Sequence, residues 1–257
     1  MASLLAPELN RFRSELGLAP LQKDLARWVY PPQLILGMFP EWYAGYRPDW
    51  PSNICLTGFP IFDGGEAREL APAVDQFLAA GTPPVVFNAL SAFQNARKFF
   101  EAGVATVRKM KRRAILLSQF PQNVPPELPP EVGHFSFVPH SLLLPRAAAI
   151  VHQGGIGTTA KALLAGIPQV IVPLNFDQPF NGKRVASMGV GTTLEASECS
   201  PDRLSKELEA LLAAPAVAAK LRDYSSRVRN QDGTRQACDA IEEVFVHGRQ
   251  PSRASGA

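Results

Sequence analysis

The sequence predicts an α/β fold, a parallel sheet with helices on both faces, with an extra helical and aromatic segment at the N-terminus and further helices at the C-terminus. Three observations point there. From Asn53 onward short apolar runs alternate with helical patterns, as expected for parallel strands joined by right-handed crossovers. One such run, Ala147 to Val151, enters His152 and a turn holding Gly154, Gly155 and Gly157, and a helix begins at about Thr158. That turn brings bare backbone N–H groups to a helix N-terminus, where the dipole favours an anion. A second run, Gln169 to Pro173, opens into Asp177, Gln178 and Asn181, so polar groups follow two successive strands, where open α/β sheets bind ligands.

Taken in order, residues 7–18 carry Leu9, Phe12 and Leu16 at helical spacing, with Pro7 near the start and Gly17 as the stop. A second helix over Leu21 to Trp28 ends at Pro31-Pro32, and Gln33 to Phe39 reads as a strand. Trp28, Tyr30, Phe39, Trp42, Tyr43, Tyr46 and Trp50 fall close together, a load that needs a surface to bury against. The alternating part then runs as strand Ile54 to Thr57, helix Ala67 to Ala80, strand Pro84 to Phe87, helix Phe93 to Met110 and strand Ala114 to Ser118. It continues through a strand near Phe135 to Phe137 and a short helix at Leu142 to Leu144. Beyond the two strands of the glycine turn and Asp177, a helix spans Gln178 to Ser187 and a last strand lies around Gly191 to Leu194. Three helices follow: Pro201 to Leu212, Pro215 to Val228, and one after Asp232-Gly233-Thr234 that reaches Val246. The domain reading is 1–52 as the remnant of a preceding domain with an interdomain linker, 53–246 as the sheet domain, and 247–257 as a polar disordered tail.

Composition narrows the function. With 257 residues, 46% hydrophobic and 19% charged, the chain is an ordinary globular one. Net charge is +3 and the basic residues are dispersed apart from Arg108 to Arg113, which argues against nucleic-acid binding and suits a solvated helix end. Cys55, Cys199 and Cys238 lie far apart, which fits a reducing compartment without a disulfide framework or a zinc site. No apolar run approaches a membrane span and the start is unlike a signal peptide, so the expected location is cytoplasmic. Peripheral contact with the inner membrane is the minor alternative.

The order His-x-Gly-Gly-x-Gly-Thr-Thr from His152, Gly-x-Pro from Gly166, Asp-Gln-x-x-Asn from Asp177 and Gly-x-Gly from Gly189 resembles the C-terminal, donor-binding domain of nucleotide-sugar-dependent glycosyltransferases with the GT-B fold. Within that family it is similar to bacterial enzymes that glycosylate macrolides, glycopeptides, flavonoids, sterols or lipids, the rhamnolipid rhamnosyltransferases included. The similarity extends from about residue 8 to 246 through the NRFRSELGL helix, FPEWY and TGFP. The resemblance implies a Rossmann-like domain that binds a UDP- or dTDP-sugar without metal or other cofactor. It assigns the donor diphosphate to Ser91, His152, Gly154, Gly155, Gly157 and Thr158, the nucleoside to Phe137, Val138 and His140, and the donor sugar to Asp177, Gln178 and Asn181. Residue chemistry alone leaves two of these open: His152 reads equally as a core histidine capping a strand end, and Asp177 as a cap for the helix that follows.

Two departures stand out. Where family members have Thr-x-Gly-Ser, this chain reads Asn88-Ala89-Leu90-Ser91, with a leucine in place of the glycine. The larger one is length: the acceptor-binding half, which carries a histidine general base in this family, has no counterpart here, and no residue of the chain is assigned as catalytic. The expected function is therefore the donor-binding half of an inverting, metal-independent glycosyltransferase that moves a hexose to a small-molecule or lipid hydroxyl, with an acceptor half supplied by another polypeptide or a parent chain. The alternative is a non-catalytic nucleotide-binding or interaction module, or a fragment lacking the acceptor domain and base. A third reading, a GT-B sugar epimerase, fits less well because those enzymes lack Asp-Gln-x-x-Asn.

Overall fold

A computed structural model of the chain describes residues 2–21, 33–62, 69–89, 96–246 and 248. The expected helix over Leu21 to Trp28, Trp28 and Tyr30, Leu90 and Ser91, and nearly all of the 247–257 tail lie outside them. The described residues form two compact units, 59–232 and the pair 1–58 with 233–257.

In the larger unit six strands form one parallel sheet: β3 (Val85–Asn88), β4 (Ala114–Leu117), β5 (Val132–Phe135), β6 (Ala149–His152), β7 (Gln169–Ile171) and β8 (Gly191–Thr193), in the order β5-β4-β3-β6-β7-β8. The chain builds outward from β3 on one side and outward from β6 on the other. The order therefore reverses between β3 and β6, whose carboxyl ends carry Asn88 and His152 as register partners. At such a reversal the loops leave in opposite directions and open a crevice.

The four central strands, β4, β3, β6 and β7, are short and largely apolar because both their faces are covered. Val85 and Phe87 point to the face packed by α3 (Arg97–Lys109) and α7 (Pro201–Ala213), with Phe100, Val107, Leu204 and Leu208 fully buried there. Val86, Ile115 and Ile150 point to the other face, against α2 (Pro72–Ala79), α4 (His140–Leu143) and α5 (Ile156–Ala165). The helix α6 (Gln178–Met188) connects β7 to β8, and α8 (Pro215–Arg229) lies on α5, where Ser225 Oγ donates to the Leu164 carbonyl at 2.6 Å. Helix starts follow the sequence signals: Ser200 Oγ accepts the Arg203 amide, and Pro201 and Pro215 occupy first positions.

The smaller unit departs from expectation in its strand pairing and in its first helix. Its strands β1 (Ile35–Gly37) and β2 (Ile54–Leu56) pair in parallel with each other, Ile35 opposite Ile54. The 54–57 run is thus not part of the six-stranded sheet. The last helix, α9 (Gly233–Phe245), groups with this unit and not with the sheet domain. The first helix, α1 (Ala2–Glu15), begins before Pro7 instead of at it, and ends in the turn expected of Gly17, whose φ is 68°. Within this unit the aromatic segment packs on itself, with Phe39 6.5 Å from Tyr43 and 6.1 Å from Trp50 between ring centroids.

Close approach of α3 to β3 depends on one small residue. A Cβ on Gly103 would lie 2.8 Å from the Phe87 ring, which is fully buried and edge-on to Phe99. Gly103→Ala gains up to about 1 kcal/mol of helix propensity but overpacks this contact at about 1–3 kcal/mol. The expected outcome is a net loss of roughly 1 kcal/mol in urea unfolding, and a stabilised variant would contradict the packing.

Candidate functional site

The crevice between β3 and β6 is lined on the β3–β5 side by Asn88, Ser118, Gln119, Phe137 and His140, with Thr158 from the start of α5 closing it, around a cavity of about 260 Å³. Asn88 continues β3 and donates through Nδ2 to His140 Nε2 at 3.2 Å, tying the strand end to the first residue of α4. Phe137, Val138 and His140 do come together here. Phe137 follows β5 instead of ending it and is 64% exposed, whereas the Val138 side chain is only 3% exposed and belongs to the core with Leu143 and Leu144. Val138 supplies wall and Phe137 the free aromatic surface.

The helix α5 begins two residues earlier than the sequence suggested. Gly155 is its N-cap and provides no side-chain cap; the first intrahelical bond runs from the Thr159 amide to the Gly155 carbonyl at 3.0 Å. The amides of Ile156, Gly157 and Thr158 thus have no carbonyl within the helix to donate to. Gly157 has no heavy atom within 4 Å of where a Cβ would stand, so neither packing nor an unusual φ demands glycine there. Gly154 is the opposite case. Its φ is 89°, and a Cβ would meet Ile171 Cγ2 at 2.6 Å, so the turn is closed to any side chain.

His152 sits under this turn, 1% exposed, with both ring nitrogens engaged. The Gly154 amide donates to Nδ1 at 3.0 Å, and Nε2 faces Gln169 Oε1 at 3.0 Å. The Gln169 amide nitrogen in turn donates to the Thr159 carbonyl at 3.3 Å, which fixes its oxygen toward the ring. Donor and acceptor roles then follow without choice: Nε2 carries the hydrogen and Nδ1 the lone pair. Burial keeps the ring neutral and lowers its pKa to about 4, against a smaller opposite effect of Gln169 and a further lowering by His140. In this arrangement His152 braces the turn, since both ring nitrogens are engaged by Gly154 and Gln169. Gln169 is not among the residues the sequence motif singles out; its signal is a polar residue inside the apolar run IPQVIVP, here fully buried.

The second loop is joined to the first by Asn181, whose Nδ2 donates to the Gly154 carbonyl and to Asp177 Oδ2, both at 2.8 Å. Asp177 is therefore held by Asn181, and it makes no side-chain cap for α6. Gln178 is buried, and its Oε1 accepts the amides of Leu174 at 2.8 Å and Asn175 at 3.1 Å, pinning the loop ahead of the helix. Of the three residues expected around a sugar, Asp177 is exposed, Asn181 braces it and Gln178 holds the loop ahead of it. Among the described residues no group of three or more His, Cys, Asp or Glu side chains could hold a metal ion, and no helix is long and apolar enough to cross a membrane.

Residues 114–243 match the family model of the erythromycin biosynthesis protein CIII-like C-terminal domain. The chain is 33% identical over 241 residues to O-mycaminosyltylonolide 6-deoxyallosyltransferase of Streptomyces fradiae, covering 92% of this chain and 56% of that protein. It is 34% identical over 231 residues to glycosyltransferase GtfC of Amycolatopsis orientalis, covering 86% and 54%. The chain thus spans about half the length of these curated relatives. Among solved structures, the glycotransferase of kitacinnamycin superposes with a TM-score of 0.72 at 24% identity, over 94% of this chain and 62% of that one, a likeness of fold.

The relay under the turn makes a pH prediction. The folded pKa of His152 lies near 4 and the unfolded value near 6.5, so the unfolded state binds the extra proton between them. Its stability contribution is complete above pH 6.5 and is lost as pH falls toward 4, on the order of 3 kcal/mol across the window. Histidine NMR should show His152 as the Nε2–H tautomer with a midpoint near 4; a midpoint at the ordinary value of about 6.5 would contradict the relay.

Proposed function

The chain belongs to the erythromycin biosynthesis protein CIII-like C-terminal domain family of glycosyltransferases, and on that premise we propose that it is the donor-binding half of an inverting, metal-independent glycosyltransferase using a UDP- or dTDP-sugar. One observation carries this reading. An uncapped helix N-terminus opens at the strand-order reversal, with Gly157 leaving unfilled space beside its free amides. A diphosphate suits that place, since it brings oxygens for the amides and charge for the dipole. The adjoining cleft offers a nucleoside the Phe137 ring and the polar groups of Asn88, Ser118, Gln119 and His140. Asp177, on the loop that Asn181 ties to the turn, supplies acceptors for sugar hydroxyls.

In the proposed reaction an acceptor hydroxyl attacks the anomeric carbon as its bond to the diphosphate oxygen breaks, with inversion. A general base on an acceptor-binding half takes the hydroxyl proton. The amides of α5 stabilise the charge that gathers on the leaving diphosphate, and they are already oriented before reaction. Of the relatives named above, one is by name a 6-deoxyallosyltransferase acting on O-mycaminosyltylonolide and the other a glycosyltransferase, and their greater length leaves room for the acceptor half that this reading requires. A hexose donor, a small-molecule or lipid acceptor and a cytoplasmic setting complete the proposal. The unpaired Cys55, Cys199 and Cys238 suit such a setting.

Calorimetric titration with UDP and with dTDP tests it, using Gly157→Ala as the probe. The added methyl enters open space, so folding should be unharmed and the helix stabilised by up to about 1 kcal/mol. Affinity for the nucleoside diphosphate should fall about 10-fold or more as the methyl crowds the phosphate approach. Absence of binding by the folded wild-type chain, or full affinity in Gly157→Ala, would count against a diphosphate at this turn. Binding with no transfer when an acceptor half is added would favour a nucleotide-binding module.

A further inference from the structure

The carboxyl edge of the sheet displays an aromatic ring that packing does not explain. Phe176, in the loop between β7 and α6, is 89% exposed and has a φ of 57°. The other described non-glycine residue with positive φ, Lys111, has a local reason for it. Its amide donates to the Arg108 carbonyl and the next amide, of Arg112, to that of Val107, which is the left-handed turn that terminates a helix. Phe176 precedes a helix and terminates none. Its loop is also firmly held: Gln178 accepts the amides of Leu174 and Asn175 on one side, and Asn181 holds Asp177 on the other. An L-residue with a large side chain thus occupies a backbone region that glycine adopts more readily, and it gains no burial by doing so. A strained, rigidly presented and solvent-facing aromatic points outward to something that binds.

We propose that the Phe176 ring is a platform for the pyranose ring of the donor, stacking against a C–H face of the sugar while the neighbouring Asp177 carboxylate accepts hydrogen bonds from its hydroxyls. The inference rests on the donor site described under the proposed function. A pyranose presents two chemistries at once, hydroxyls around its rim and a face of C–H bonds. Carboxylate oxygens take the first, and the electron-rich face of an aromatic takes the second, as it takes other positive edges. Adjacent residues 176 and 177 supply the pair from one pinned loop. The platform selects for sugars whose C–H face is uninterrupted, deoxy positions included, and against those with an axial hydroxyl on that face.

Titration of the chain with UDP, dTDP, UDP-glucose and dTDP-glucose, in wild type and in Phe176→Gly and Phe176→Trp, tests the assignment. Glycine suits the positive φ, so Phe176→Gly should melt no lower than wild type. It should keep its affinity for UDP and dTDP and lose about 5-fold or more for the glucose nucleotides, with Phe176→Trp retaining them. A wild type that gains nothing from the sugar, or a variant whose affinities for both kinds of ligand change equally or not at all, overturns the platform while leaving the diphosphate site standing. Failure of the wild type to bind UDP or dTDP removes the donor site, and the platform with it.

Discussion

A lone pair on one buried imidazole nitrogen holds the glycine turn in place. The Gly154 amide donates to His152 Nδ1, and that nitrogen is free to accept only because Gln169 claims the hydrogen on Nε2. Gln169 is itself oriented by the Thr159 carbonyl. The chain of bonds crosses from β6 to β7 to α5, and His152, Gln169 and Thr159 are all buried. In such surroundings an unpaired polar group is costly, so the relay holds as a whole or fails as a whole. It also explains a polar residue inside an apolar strand, since Gln169 offers one donor and one acceptor at a fixed spacing.

The other main-chain polar group of Gly154 extends the arrangement to the second loop. The Gly154 carbonyl accepts from Asn181, which also holds the Asp177 carboxylate. Both main-chain polar groups of Gly154 are therefore satisfied by side chains, one from the strand before it and one from α6. A side chain at 154 would strike Ile171, so the residue must be glycine for packing as well as for its φ. The glycine turn and the carboxylate that follows β7 are in this way parts of one assembly. A displacement of either is felt by the other through two hydrogen bonds.

Much of this was legible in the sequence because periodicity and punctuation report burial and chain reversal. The strands from Val85 to Thr193 and the helices that follow were placed to within a few residues, since strands covered on both faces must be apolar and prolines mark their ends. The run at Ile54 joins β1 and not the six-stranded sheet, because three apolar residues state that a strand is buried and not which neighbour covers it. The pattern extends the strand to Phe137, whereas β5 ends at Phe135; an aromatic has the same propensity inside a strand and just beyond it. In the site the residue types were visible and their roles were not. A histidine before a glycine turn is compatible with binding an anion or with bracing the backbone. The choice depends on Gln169, seventeen residues away, whose contact no local pattern encodes.

That choice has a consequence for any anion seated at α5. A histidinium at the turn would bring a full charge and make binding fade as pH rose through its pKa. The ring here is neutral, with a pKa of about 4, so it contributes no charge near neutrality. Attraction at the turn comes instead from oriented amides and the helix dipole, which do not titrate. Fixed dipoles have a further property that suits a site where charge appears during a reaction: held by the relay below and by Asn181 beside them, they need not reorient when the charge arrives. The buried histidine serves the crevice by keeping the backbone still.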